Sequence, residues 1–250
     1  MAPLWIGCSG FNYQDWKATF YPRDLPQRGW LEYYSTIFST VELNVTFYRL
    51  PLSSTFVKWR DQTPPGFVFS LKGSRYITHI KRLTEVEEPL ERFFERAFHL
   101  KEKLGVVLWQ FPPGFKVNLE RLGLFLRLLE KYSVRNTLEF RHESWITAEV
   151  ITLCQGHNLN LCMADWPDFI DDLPVTSDFV YIRRHGAGGS YAADYSLKAL
   201  RKDTRRIRGY IRDGKEVFIY FNNDAYGYAP KNARELMELI REKEHRLIRT

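Results

Sequence analysis

Short runs rich in β-branched and aromatic residues return along this chain about every thirty residues, with helix-patterned segments between them, and this alternation limits the fold more than any other feature. Eight such runs are legible: Leu4 to Cys8, Thr40 to Asn44, Phe67 to Lys72, Val106 to Phe111, Asn136 to Phe140, Leu159 to Asp165, Phe179 to Arg184 and Val217 to Asn222. The segment Leu90 to Leu104 reads as a helix, with Leu90, Phe93, Phe94, Ala97 and Leu100 on one face and Gly105 as its stop. Leu119 to Tyr132 follows Asn118 as N-cap, Ser53 to Gln62 ends before Pro64, Leu197 to Arg212 stops near Gly214, and a last helix runs from about Asn232 to Glu244. Strands separated by helices favour parallel pairing through crossovers, and eight strands close a barrel. The expectation is an α/β chain folded as one TIM-type (β/α)8 domain over residues 1–250. An open doubly wound sheet is the alternative, but Gly7-Cys8-Ser9-Gly10 lacks the full G-x-G-x-x-G spacing.

Strand side chains alternate between the helix-facing surface and the barrel interior, so parity predicts what points inward. Val41, Leu43, Leu138 and Phe140 take the outward positions. That leaves Thr40, Glu42 and Asn44 inside on the second strand, and Thr137, Glu139 and Arg141 on the fifth. Lys72, Gln110, Tyr181, Arg183, His185, Tyr220 and Asn222 join them, while Asp165 ends the sixth strand. The strands thus turn polar or charged toward their C-terminal ends, where barrel enzymes build their active sites. Burying several charges costs several kcal/mol per ion, roughly, which argues for a purpose beyond filling space.

Composition removes other classes. With 44% hydrophobic residues the chain can bury a large core, and no apolar run approaches the roughly 20 residues of a membrane span. Cys8, Cys154 and Cys162 form no metal-type pair and no disulfide framework. The stretch Met1 to Gly10 enters a strand with no basic leader, and the expected location is cytoplasmic. The net charge of +6 is a mild bias toward anionic partners.

The segments WIGCSGFNYQDW from Trp5 with FYP ending at Pro22, VELNVTFYRLP from Val41, FSLKG with Thr78-His79, LWQFPPGF from Leu108, EFRHESW from Glu139 and YFNND from Tyr220 occur in order over nearly the whole chain. In these the sequence resembles the family called domain of unknown function 72, or YecE-like. The resemblance implies a TIM-type barrel related in shape to xylose isomerase and endonuclease IV, and no assigned activity. Cys8 and Phe11 stand where members often carry Thr and Trp.

Endonuclease-like relatives imply a metal cluster, yet only His79, His142 and His185 lie near strand ends, and Lys72, Arg141 and Arg183 would share the mouth with Glu42, Glu139 and Asp165. The expectation is no required cofactor, with a single divalent ion on Glu139 and Asp165 as the one metal arrangement the residues allow. His99, His157 and His245 are expected on the surface. Paired glutamates also fit glycoside hydrolysis, and Tyr13, Trp16, Tyr48, Trp145, Trp166 and Tyr191 would stack on sugars or bases. That chemistry leaves Lys72 and Arg183 without a task.

An anionic ligand uses both. Arg presents a fork to phosphate or carboxylate and Lys a point charge, and the loop Gly186, Ala187, Gly188, Gly189, Ser190 follows the seventh strand, where barrels often cradle phosphate. The basic helix with Lys198, Arg201, Lys202, Arg205, Arg206, Arg208 and Arg212 reads first as a solvated outer face. The leading expectation is therefore an enzyme, possible hydrolases included, on a small phosphate-bearing substrate or nucleic acid. Arg183, Lys72 and the loop would hold the anion, and Glu42 and Glu139 would act as acid and base. Arg141, Asn44 and Asn222 would orient them, with Asp165, His185 and Tyr220 as further substrate contacts. Two alternatives stand beside it: a non-catalytic barrel that binds nucleic acid or protein, and a sugar or sugar-phosphate isomerase or lyase with Lys72 as a Schiff-base amine.

Overall fold

The structure is a computed structural model that describes residues 2–166 and 170–247. Its strands are β1 (Leu4–Cys8), β2 (Thr40–Leu43), β3 (Val68–Lys72), β4 (Leu104–Gln110), β5 (Arg135–Glu139), β6 (Asn160–Leu161), β7 (Met163–Ala164), β8 (Phe179–Arg184) and β9 (Glu216–Phe221). All pair in parallel, in the order β6-β5-β4-β3-β2-β1-β9-β8-β7. Only Cys162 separates β6 from β7, so the two ends of this order meet in one interrupted strand and the sheet becomes a barrel. The expected sixth strand is this pair. Its first half bonds to β5 and its second to β8. Among the described residues no helix is long and apolar enough to cross a membrane.

Helices α1 (Trp30–Ser35), α2 (Val45–Tyr48), α3 (Ser53–Asp61), α4 (Glu87–Ala97), α5 (Leu119–Leu129), α6 (Ala148–Gly156), α7 (Leu197–Arg212) and α8 (Tyr228–Leu247) connect the strands. α5 starts as expected, with the Asn118 side chain accepting from Arg121 N–H at 2.9 Å. α4 buries Leu90, Phe93, Phe94 and Ala97 but stops short of the expected Leu104. A 3-10 turn follows, Lys101 takes a left-handed φ of 53°, and β4 begins at Leu104 itself. The helical periodicity of this stretch continued past the point where the backbone turns into the next strand.

Aromatic rings fill the space between barrel and helices. Trp145 stacks on Phe140 at 5.1 Å between centroids and packs edge-on to Phe111 and Phe115, while its Nε1–H donates to the Phe115 carbonyl at 2.5 Å. It is fully buried, as is Trp16, so neither forms part of the mouth where they were expected. Their indole N–H groups are satisfied by backbone carbonyls, which is how a core accepts Trp. Glycine is required in FSLKG for the same crowding: a Cβ on Gly73 would lie 2.1 Å from the Trp109 ring. Truncating Trp145 to Ala should destabilise the protein by about 3–5 kcal/mol in urea unfolding monitored by circular dichroism. A loss below about 1 kcal/mol would mean that the Phe111–Phe140 cluster collapses onto the gap.

Candidate functional site

β8 carries two successive arginines whose opposite fates follow from parity. Arg184 points outward and pairs with Asp203 on α7 and with Asp171, at 2.5 and 2.8 Å. Arg183 points inward and is fully buried. Its five N–H groups are all used. Nε donates to Glu42, Nη2 to Glu42 Oε1 and to Ser9 Oγ, and Nη1 to Glu139 Oε2 at 2.7 Å and to His185 Nε2 at 3.0 Å. Glu42 also accepts from Ser9 Oγ–H and, at 2.7 Å, from the Tyr181 hydroxyl. Glu139 accepts from Gln110 Nε2 at 3.0 Å and pairs with Arg141. Gln110 thereby joins the site from the inward position that parity gave it, and Ser9 from a strand-end position that the sequence reading did not single out.

The histidine's tautomer follows from its neighbours. His185 Nε2 faces two donors, Arg183 Nη1 and Arg141 Nη2, and so must accept; its Nδ1–H then donates to Asp165 Oδ1 at 3.2 Å. The ring is neutral. Burial, together with the arginines, lowers its pKa. Asp165 is held by the His185 backbone N–H at 2.7 Å and by the Tyr195 hydroxyl as well, and these bonds keep it ionised despite burial. Glu42 and Glu139 suffer full desolvation, yet the guanidinium charges outweigh it and hold both carboxyls below their ordinary range. Both are completely buried and absent from the lining of the cavity that opens above, and from there they bond Arg183 and Arg141, which do reach it.

Over this layer opens a cavity of about 400 Å³. Lys72, Arg75, Arg141 and Arg183 contribute cations to its lining, and among the described residues the lining contains no carboxylate. Lys72 is nearly buried, with Nζ 4.2 Å above the Phe47 ring; among the described residues it makes no hydrogen bond or ion pair. Burial and the nearby Arg183 bring its pKa down to about 8. Arg141 leaves its buried Nε–H without a partner. His79 and Asn222 also line the cavity, and burial followed by the charge of Lys72 pushes His79 down to about 4. Tyr48, Trp166 and Tyr191 form an exposed aromatic rim.

Other expected contacts lie elsewhere. Tyr220 crosses the interior to bond Thr40 Oγ1 and Ser70 Oγ at 2.6 and 2.8 Å and does not line the cavity. Asn44 donates to Ser9. The loop Gly186 to Ser190 lies outside the lining: Gly186 N–H donates to Tyr195, Gly189 N–H to the Gly186 carbonyl, and Gly189 is pressed against Trp166, where a Cβ would sit 1.5 Å from the ring. Gly189 serves to seat Trp166, and two of the loop's N–H groups are spent on protein acceptors. Tyr13 is tied to the Ser9 carbonyl, His142 accepts from Ser144 N–H, and His157 pairs with Glu130. His99 is exposed as expected, and the side chain of His245 lies outside the described residues. Among the described residues no three His, Cys, Asp or Glu side chains gather to hold a metal. Glu139 and Asp165 direct their oxygens at Arg, Gln, His and Tyr donors, and so do not offer the chelating pair considered for a divalent ion.

The profile of the family described as "Protein of unknown function DUF72" matches residues 5–250. The chain belongs to the DUF72 family. Among its relatives, the UPF0759 protein YunF of Bacillus subtilis (strain 168) is 25% identical over 271 residues, covering 95% of this chain and 94% of that protein. The UPF0759 protein YecE of Escherichia coli (strain K12) is 33% identical over 85 residues, 34% of this chain and 31% of that protein. A DUF72 crystal structure from Thermotoga maritima MSB8 superposes with a TM-score of 0.82 at 29% identity, over 96% of this chain and 99% of that one. D-psicose 3-epimerase shares the fold alone, with a TM-score of 0.59 at 9% identity over 97% and 96% of the two chains. The DUF72 chain described here is thus a TIM-type barrel, as expected.

The charge layer makes stability depend on acid. Glu42, Glu139 and Asp165 have lowered pKa values when folded, so they stabilise the fold above the ordinary carboxylate range and lose that contribution as pH falls through it. Neutral His185 adds a loss that begins below the ordinary histidine value of 6.5. Asp224 has the opposite sign: burial raises it to about 7, so it takes up a proton on folding and offsets His185 at intermediate pH. The urea midpoint should therefore change little between about pH 6 and 5 and fall steeply below about 4.5. Glu139→Gln should flatten that steep limb; an unaltered limb would contradict the assignment.

Proposed function

We propose that the protein is an enzyme that binds the phosphate group of a small substrate in this cavity. The observation that carries the reading is the cation surplus of the lining. Among the described residues Glu42 and Glu139 offset Arg183 and Arg141 one for one, which leaves Lys72 and Arg75 unmatched above them. A desolvated ammonium and an orphaned guanidinium N–H favour an anion far more than surface charges do, because screening by water and salt is weaker there. The volume falls in the range of small-molecule sites, roughly 300–1,000 Å³, and the location above the C-terminal strand ends is where barrel enzymes work. The aromatic rim adds a flat apolar surface for the rest of the ligand. All three cysteines are free and buried, which fits a reducing cytoplasmic setting.

A small molecule is favoured over nucleic acid by the position of the basic helix. α7 packs on the barrel's outer side, Arg208 caps the α8 carbonyls of Leu239 and Ile240, and Arg206 binds Asp171, so part of its charge is spent structurally. Its residues do not line the cavity. The anion contacts in this reading are Lys72, Arg75 and Arg141, with Arg183 as the charge that fixes the floor.

Calorimetric titration with inorganic phosphate and pyrophosphate, at low and high salt, tests the reading, and a turnover screen of phosphate esters accompanies it. Lys72→Met and Arg75→Ala should each weaken binding about tenfold, as expected for a charge-assisted contact of roughly 1.5 kcal/mol. Neutralising Lys198, Arg201 and Lys202 should leave binding within about twofold. The reverse pattern would move the ligand to the outer surface and make the barrel a polyanion-binding protein instead.

A further inference from the structure

We propose that Lys72 is a covalent catalyst: its Nζ forms an imine with an aldehyde or ketone carried by the same ligand whose phosphate the cavity binds. The proposal rests on the phosphate reading and adds the reaction type and the substrate class, a phosphorylated carbonyl compound.

Three features of Lys72 lead there. Its Nζ has no carboxylate, carbonyl or hydroxyl partner among the described residues, although Glu42 and Glu139 lie in the layer below; both are taken by arginine. A lysine kept for structure is normally given such a partner when buried, as Lys103 is here, with Nζ bonded to the Arg60 and Thr63 carbonyls at 2.6 Å each. Second, the backbone under Lys72 is fixed, since its carbonyl accepts from Thr46 Oγ1 at 2.6 Å and the next residue, Gly73, is seated against Trp109. The amine is therefore delivered to one place in the lining. Third, the ring of Phe47 and the positive charge of Arg183 surround it, and burial brings its pKa to about 8, so an appreciable share is the neutral nucleophile near physiological pH.

The chemistry closes without a further reactant. The neutral Nζ attacks the carbonyl carbon, a C–N bond forms, and the C=O pair moves to oxygen, which takes up the proton lost from nitrogen to give a carbinolamine. Protonation of that hydroxyl and departure of water leave a C=N bond bearing one positive charge on nitrogen. Counted from the ammonium form, ammonium plus carbonyl gives iminium plus water. Arg75 and Arg141 line the same cavity and would hold the phosphate while this occurs. The iminium draws electrons from the neighbouring carbon, so a proton or a carbon fragment on that carbon becomes easier to remove, which is the logic of isomerases and lyases.

Glyceraldehyde 3-phosphate with sodium cyanoborohydride is the probe, read by intact mass and peptide mapping beside the phosphate titration. The expected result is one reduced adduct on Lys72, formed at least about tenfold faster than on surface lysines such as Lys58 or Lys198. Its rate should rise as pH increases through about 8, fall with excess inorganic phosphate, and be lower with unphosphorylated glyceraldehyde. Lys72→Arg should lose the adduct. If phosphate binds in the cavity but the adducts scatter over surface lysines and Lys72 stays unmodified, the covalent role is wrong and the anion site stands. If phosphate neither binds nor protects, and labelling is indiscriminate, both fail.

Discussion

The guanidinium of Arg183 is the constraint around which the rest of the barrel is arranged. Five N–H groups on a rigid plane demand five acceptors in fixed directions, and a fully buried plane cannot turn to water for any of them. β2 supplies Glu42, β5 supplies Glu139, the residue after β1 supplies Ser9, and the residue after β8 supplies His185. One side chain thus ties together strand ends that come from opposite parts of the sequence. Each acceptor is in turn oriented by another donor: Tyr181 on Glu42, Gln110 and Arg141 on Glu139, Asp165 on His185. Removing Arg183 would leave Glu42 buried without its counter-charge and Glu139 with Arg141 alone, so the layer depends on this one side chain.

Much of this was legible because a strand has a period of two and a barrel has one inside. Glu42, Glu139, Arg183 and His185 share an interior by alternation alone, and Arg184 is sent out to Asp203 by the same rule. What alternation cannot give is depth. It does not distinguish Tyr220, which bonds across the interior, from Asn222, which lines the cavity. Nor does it tell an acid facing solvent from one sealed under an arginine, as Glu42 and Glu139 are. Arg75 and Tyr195 were invisible for another reason. They lie in connections between elements, where no periodicity relates a residue's number to its direction.

The aromatic residues carry a related lesson. Trp16 and Trp145 sit beside strand ends in sequence, and both fold back into the core because a backbone carbonyl waits for each indole N–H. Trp166 has the opposite outcome: it is exposed at the rim and pressed flat by Gly189. Composition registers all three as the same kind of residue. Of the loop glycines, which look like an anion cradle in the sequence, Gly189 is accounted for by the room that one ring requires.

Along the barrel axis, hydrogen-bonding satisfaction therefore falls off in one direction. The interior hydroxyls of Tyr220, Thr40 and Ser70 are paired with each other, and the charge layer above uses every N–H of Arg183. At the cavity, among the described residues, two cationic groups are left unmet together, Lys72 Nζ and Arg141 Nε. Sequence economy alone does not produce such a gradient, since the carboxylates that could have paired with Lys72 are present and committed below it. A saturated layer that cannot rearrange fixes the floor, and an unsaturated layer over it retains its affinity for something that arrives from outside. The ordering cost is met when the protein folds, before any ligand enters, and that is the condition under which two or three polar contacts in a small cavity suffice for selective binding.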